Sequence, residues 1–286
     1  MGQKSRTEKK KTSPVRRFFL LVFAGILVVS GFLLLRELWD FHQADQVHDQ
    51  LKEQIVSSSD GTTLSPQEKY APLIQVNSDF IGWITLEGTR IDYGVVQGED
   101  NSHYLSTDFY GNPHRLGTVF LDCRAQFQAE KQSDHLVLYG HSAKDGSFFA
   151  DVRKYKKLDF YQEHPIIEWS SIYEGDTRWI IFAAYMIDAS DSSDDAFWFQ
   201  DYIDFKDESE YNEFINGINQ RNYFQNDIDL AFGDQFLTLS TCDYDFDNAR
   251  FVITARRLRQ DETEQQFDVK QWTERPDKKM PDRWYQ

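Results

Sequence analysis

Residues 235–256 read QFLTLSTCDYDFDNARFVITAR. Two runs rich in β-branched and aromatic residues, Gln235–Thr241 and Arg250–Arg256, flank an aspartate-rich bend, the pattern of two strands joined by a turn. Paired antiparallel, the strands bring Cys242, at the end of the first, close to Arg250, at the start of the second. The same composition recurs upstream at Gly82–Leu86, Arg90–Val96, Gly117–Asp122, His135–Tyr139, Ile166–Trp169 and Trp179–Met186, between Gly, Asn and Asp residues. About eight short strands suit a closed barrel or a sandwich.

One helical stretch interrupts the later strands. Glu208–Tyr223 sets Tyr211, Phe214, Ile215 and Ile218 on one face. Before it, Asp188–Asp201 is acidic and aromatic and reads as a long loop. Its Asp188–Asp195 run lacks the oxygen-ligand spacing of a cation site and reads as a solvated face. After Arg259 the periodicity is lost, and residues 260–286 read as a charged surface tail.

The N-terminal end has a different character. The net charge is −16, yet the first seventeen residues hold seven Lys or Arg against Glu8 alone. That block is +6, so the remainder is −22, which argues against a nucleic-acid partner. Residues 1–17 form a basic tail, and Phe18–Leu35 (FFLLVFAGILVVSGFLLL) follows without a charge. Eighteen apolar residues reach the lower edge of a bilayer span, and Arg16–Arg17 place the N-terminus in the cytoplasm. The run ends in Leu33-Leu34-Leu35-Arg36, with no small-residue cleavage site, so it reads as a single-pass anchor rather than a cleaved signal. Residues 36–78 read as a helical segment. Phe41, Ala44, Val47, Leu51 and Ile55 make one stripe over Glu37–Ile55, Ser57–Gly61 breaks it, and a short helix from Ser65-Pro66 runs to about Val76. Residues 79–259 then carry the strands.

Three local features carry chemistry: TLSTC at 238–242, YGHSAKDGSFF at 139–149, and Arg250. A thiolate is a nucleophile, an imidazole moves protons to and from a leaving amine, and a guanidinium offers a permanent charge and a planar donor fork to an oxyanion. The competing reading of Arg250 is a strand-edge ion pair with Asp243, Asp245 or Asp247, acids also placed to orient it. The competing reading of Cys242 is half of a disulfide with Cys123, the chain's other cysteine. One Cys and one His make no zinc set, and a papain-like enzyme would have its Cys before its His. His42, His48, His103, His114, His135 and His164 read as surface or structural.

The words around these residues resemble class B sortases. TLSTC followed by Arg after a short loop is similar to the sortase signature, and YGHSAKDGSFF to the class B histidine motif. DFIGWI at 79–84, VVQG at 95–98 and DFYGN at 108–112 add to the likeness, which spans about residues 37–258. Gly94 departs from it, standing where the family has Pro. The resemblance implies a mainly β fold, an eight-stranded sortase barrel with N-terminal helices and a long helix-bearing loop, 188–232, walling a substrate groove. It implies Cys242 as nucleophile, His141 and Arg250 as its catalytic partners, and Ser240, Thr241 and Asp243 as peptide contacts, with no metal and no cofactor. The implied activity is a cysteine transpeptidase of Gram-positive bacteria, its catalytic domain outside the membrane. It cleaves a sorting signal through a thioacyl intermediate and passes the acyl group to an amine. A cell-wall cross-bridge amine gives surface-protein anchoring, and a pilin lysine gives pilus polymerisation. A silent surface adaptor on the same fold is the non-enzymatic alternative.

Overall fold

The computed structural model describes residues 14–55, 64–193 and 196–285. Most of the basic tail, the Ser57–Gly61 break and Asp194–Asp195 of the acidic run lie outside the described residues. The chain divides into two units after Asp45.

The first unit holds most of helix α1, Pro14–Glu53. Its apolar side chains are exposed along the span, Phe18 through Leu35 included. The membrane-length apolar run and the helix expected from Glu37 are one continuous helix. Leu35-Arg36-Glu37-Leu38 are all good helix formers, so nothing local stops the helix where the apolar run ends.

In the second unit, the last turns of α1 bring Leu51 into a cluster with Tyr70, Leu73, Phe80, Trp83 and Phe109. The helix expected from Ser65-Pro66 is two short ones, α2 (Pro66–Lys69) and α3 (Ala71–Val76). The Ser65 hydroxyl accepts from Glu68 N, and the Glu68 carboxylate accepts from Ser65 N, which seals the start of α2.

Eight strands then close a barrel in the order β1-β2-β3-β4-β8-β9-β6-β5. They are β1 (Phe80–Thr85), β2 (Asp92–Val96), β3 (Val119–Leu121), β4 (His135–Tyr139), β5 (Ile166–Ser171), β6 (Gly175–Asp188), β8 (Phe236–Cys242) and β9 (Ala249–Arg257). Strand β7 (Phe224–Gln225) stands outside the barrel. Gly94 pairs with Trp83, and a Cβ there would lie 3.3 Å from the Trp83 ring, so the small residue suits the close approach. Between β4 and β5 the chain forms a 3-10 helix, Phe149–Lys156, and α4 (Leu158–Glu163), neither anticipated from the sequence. Helix α5 (Glu208–Arg221) buries Tyr211, Phe214 and Ile218, three of the four residues expected on its face.

Residues beyond 259 correct the expectation of a surface tail. Strand β10 (Thr273–Glu274) pairs with β7. Trp272 is 2% exposed and stacks on Tyr161 at 4.7 Å between ring centroids. Trp272 and Met280 stand among charges with no period, yet each is buried against the finished fold.

Candidate active site

Strand β8 ends at Cys242, directly opposite Arg250 in the antiparallel register with β9. The bend between them closes where Asp243 N–H donates to the Ala249 carbonyl at 2.9 Å. Asn248 takes a positive φ of 65°, a conformation asparagine tolerates well.

Strand β4 runs parallel to β8, with Tyr139 opposite Ser240. The pairing continues past the strand end. Gly140 N–H donates to the Ser240 carbonyl at 3.3 Å, and the Thr241 hydroxyl donates to the Gly140 carbonyl at 2.8 Å. This delivers His141 to the same end of the barrel as Cys242. His141 Nε2 lies 2.9 Å from the Leu105 carbonyl. A carbonyl only accepts, so Nε2 carries the hydrogen in that contact.

The loop after His141 is fixed on several sides. Phe149 N–H donates back to the His141 carbonyl at 2.9 Å. Phe148 adopts φ 54°, a strained value for a bulky residue, and is held there by the Tyr93 hydroxyl and ring. The Tyr244 hydroxyl, from the β8–β9 bend, donates to the Ser142 carbonyl and ties the two loops together.

Cys242, His141 and Arg250 together line one cleft of about 270 Å³. Its walls include Ser240, Thr241, Tyr139, Asn101 and Leu105 from the barrel side, and Ile187, Ala189, Trp198, Phe199 and Gln200 from the end of β6 and the long loop. Ser240 and Thr241, expected to contact peptide, therefore line the cleft. Asp243 does not line it; its carboxylate pairs with Lys156 at 2.8 Å. Asp245 pairs with the same lysine at 2.6 Å. Among the described residues, none of the three aspartates of the bend forms an ion pair with Arg250. Among the described residues, the guanidinium donates only to the Ala249 carbonyl, at 3.0 Å.

Both cysteines are free thiols, so no Cys123–Cys242 bridge forms. Burial, with the Asp122 carboxylate adjacent, pushes the Cys123 thiol up. Among the described residues no cluster of His, Cys, Asp and Glu has the make-up of a metal site.

The sequence did not signal the polar brace beneath the cleft. Asp122 is fully buried and receives two hydrogen bonds from the Arg124 guanidinium, at 2.8 and 2.9 Å, and one from the Tyr139 hydroxyl at 2.9 Å. Burial opposes ionisation of Asp122, but the hydrogen bonds from Arg124 and Tyr139 outweigh it and hold the carboxyl below its ordinary value. Arg124 Nη2 also donates to the Gln200 carbonyl at 2.8 Å, tying the barrel to the cleft wall.

No family model matches the chain. Individual proteins do. The sortase B of Staphylococcus aureus is 28% identical over 254 residues, covering 86% of this chain and 98% of that protein. The sortase B of Listeria monocytogenes is 28% identical over 243 residues, covering 82% and 94%. A crystal structure of Staphylococcus aureus sortase B matches at 30% identity and TM-score 0.60, covering 68% of this chain and 88% of that one. The chain belongs to the sortase B family.

A Staphylococcus aureus sortase B–substrate complex superposes with TM-score 0.67 at 28% identity, covering 78% of this chain and 99% of that one. A Bacillus anthracis sortase B in complex with AAEK1 gives TM-score 0.67 at 26% identity, covering 78% and 100%. As a sortase B, the chain is a sortase transpeptidase with a cell-wall-related function. The apolar part of α1 is long enough to cross a membrane and is compatible with an anchor.

Proposed function

We propose that Cys242 is the nucleophile of a two-step acyl transfer, with His141 moving the proton and Arg250 supporting the oxyanion. The observation that carries this is the convergence of all three in one cleft at one end of the barrel. In the first step the Cys242 thiolate attacks a backbone carbonyl in a sorting signal. The C–S bond forms and the C–N bond breaks as His141 protonates the departing amine. In the second, an acceptor amine attacks the thioester. The new C–N bond forms, the thiolate leaves, and the amine's proton passes to His141.

Arg250 suits the oxyanion because its guanidinium is always charged and, among the described residues, no carboxylate forms an ion pair with it. Ser240 and Thr241 act on the peptide through the cleft wall; Asp243 acts on it only indirectly, through the bend it closes. The acceptor is a cell-wall cross-bridge amine, so the product is a surface protein anchored to the wall. The apolar run of α1 holds the enzyme in the membrane with its basic end in the cytoplasm and the barrel outside.

The test is a panel of quenched-fluorescent peptides with threonine at the cut, mixed with hydroxylamine, a cross-bridge peptide or a pilin domain. Wild type is expected to cleave and to transfer to the cross-bridge peptide, and Cys242→Ala to do neither and trap no acyl-enzyme. Activity retained in Cys242→Ala sinks the mechanism. Transfer to the pilin lysine alone replaces the acceptor assignment, and no reaction with any peptide favours the adaptor.

A further inference from the structure

The chain beyond β9 returns to the cleft from behind. Trp272 fixes its base: the indole stacks on Tyr161 and donates to the Asp227 carboxylate at 3.1 Å. From there Arg275 N–H donates to the Tyr223 carbonyl and Lys279 N–H to the Gln220 carbonyl, each at 2.7 Å, which leads the segment along the C-terminal end of α5. Met280, 8% exposed, then enters a small cavity with Pro281 and Asp282 on one side and Ile187, Asp188 and Trp198 on the other. Ile187 and Trp198 also line the catalytic cleft. The strap therefore backs two residues whose other faces meet the substrate space.

Its tip completes the contact. Arg283 Nε pairs with Asp188 Oδ2 at 3.2 Å, and Arg283 Nη1 donates to the Asp247 carbonyl at 3.2 Å. Asp188 ends β6 and pairs with Ala249; Ile187 pairs with Arg250. Asp247 lies in the bend between Cys242 and Arg250. One guanidinium thus spans the two chain segments on either side of the first residues of β9. A planar fork with separate donors is suited to holding two acceptors at a fixed spacing. The Asp188 side chain is 8% exposed and its other oxygen accepts from Ser190, so loss of Arg283 leaves a nearly buried carboxylate short of a partner.

We propose that residues 272–284 form a strap that holds Arg250 in place through Arg283, making Arg283 a positioning residue for the transfer reaction. The proposal rests on the reading of Arg250 as the oxyanion support. Arg283 touches no substrate space; it sets where the start of β9 sits relative to Cys242.

The experiment uses the full chain in detergent, the best-cleaved threonine peptide of the panel, and hydroxylamine as acceptor. Arg283→Ala is expected to lower kcat about tenfold, the scale of losing one charge-assisted hydrogen bond, with KM nearly unchanged and the melting temperature lowered by the Asp188 carboxylate left short of a partner. Arg283→Lys recovers part of the loss, because it keeps the charge but not the fork. Asp188→Asn lowers kcat in the same direction from the other end of the pair. In an Arg250→Lys background, Arg283→Ala adds no further loss. Wild-type kcat in Arg283→Ala beside an impaired Arg250→Lys overturns the strap alone. An equal loss in both backgrounds also overturns it, since the effect then bypasses Arg250. Full activity in Arg250→Lys overturns the reading of Arg250, and the strap proposal with it.

Discussion

Cys242 and Arg250 are register partners across the β8–β9 ladder, joined by a bend whose Asp243 and Asp245 are committed to Lys156. This leaves the guanidinium beside the thiol without a competing carboxylate among the described residues. Arg250→Ala should lower kcat/KM by about 10²–10³-fold, the usual loss for an oxyanion donor. Arg250→Lys should recover only part, because a point charge lacks the planar fork. Steady-state peptide cleavage measures both.

Gly140 precedes His141 and has no room for a side chain. A Cβ there would lie 2.7 Å from the buried Phe149 ring. Gly140→Ala should move either the ring or the backbone that carries His141. We expect a stability loss of about 1–3 kcal/mol by denaturant titration and a fall in kcat of at least about tenfold.

Arg124 joins the buried Asp122 to the Gln200 carbonyl in the cleft wall. Arg124→Ala should loosen that wall and raise KM for the peptide more than it lowers kcat. It should also leave Asp122 short of its main partner, at a cost of about 1–3 kcal/mol. Because the folded state lowers the Asp122 pKa, its stabilisation is present above the ordinary carboxylate range and is lost as pH falls through the lower folded value. Arg124→Ala should therefore weaken the acid dependence of stability below about pH 4.

His135 is fully buried, with its ring nitrogens bonded to the Tyr202 carbonyl at 2.8 Å and the Thr238 hydroxyl at 2.7 Å. Burial lowers its pKa to about 4 from 6.5. Between those values the unfolded chain binds the proton and the folded chain does not. Stability is thus complete above about pH 6.5 and falls toward pH 4, by about 3 kcal/mol in all. Urea midpoints across that range should flatten in His135→Gln.

Trp272 tests the base of the strap. Its indole is buried against Tyr161, so Trp272→Ala should cost about 3–5 kcal/mol. A cost near zero by urea titration would return residues beyond 259 to the role of a loose tail.

The eight barrel strands and the Cys242–Arg250 hairpin were legible in the sequence. β-branched and aromatic runs bounded by turn residues are local signals, and an antiparallel turn needs only neighbours in the chain. The motif words around Cys242, His141 and Arg250 likewise pointed to the family without any coordinates. Tertiary structure alone decided that His141 shares a cleft with Cys242, because that depends on the parallel pairing of β4 with β8, strands far apart in sequence. It also decided the fate of Asp243, the Asp122–Arg124–Tyr139 brace and the strap carrying Trp272 and Arg283. Each of these is a contact between segments with no shared period. Their residues are charged or isolated, so nothing in their own neighbourhood marks them until the barrel supplies the partner.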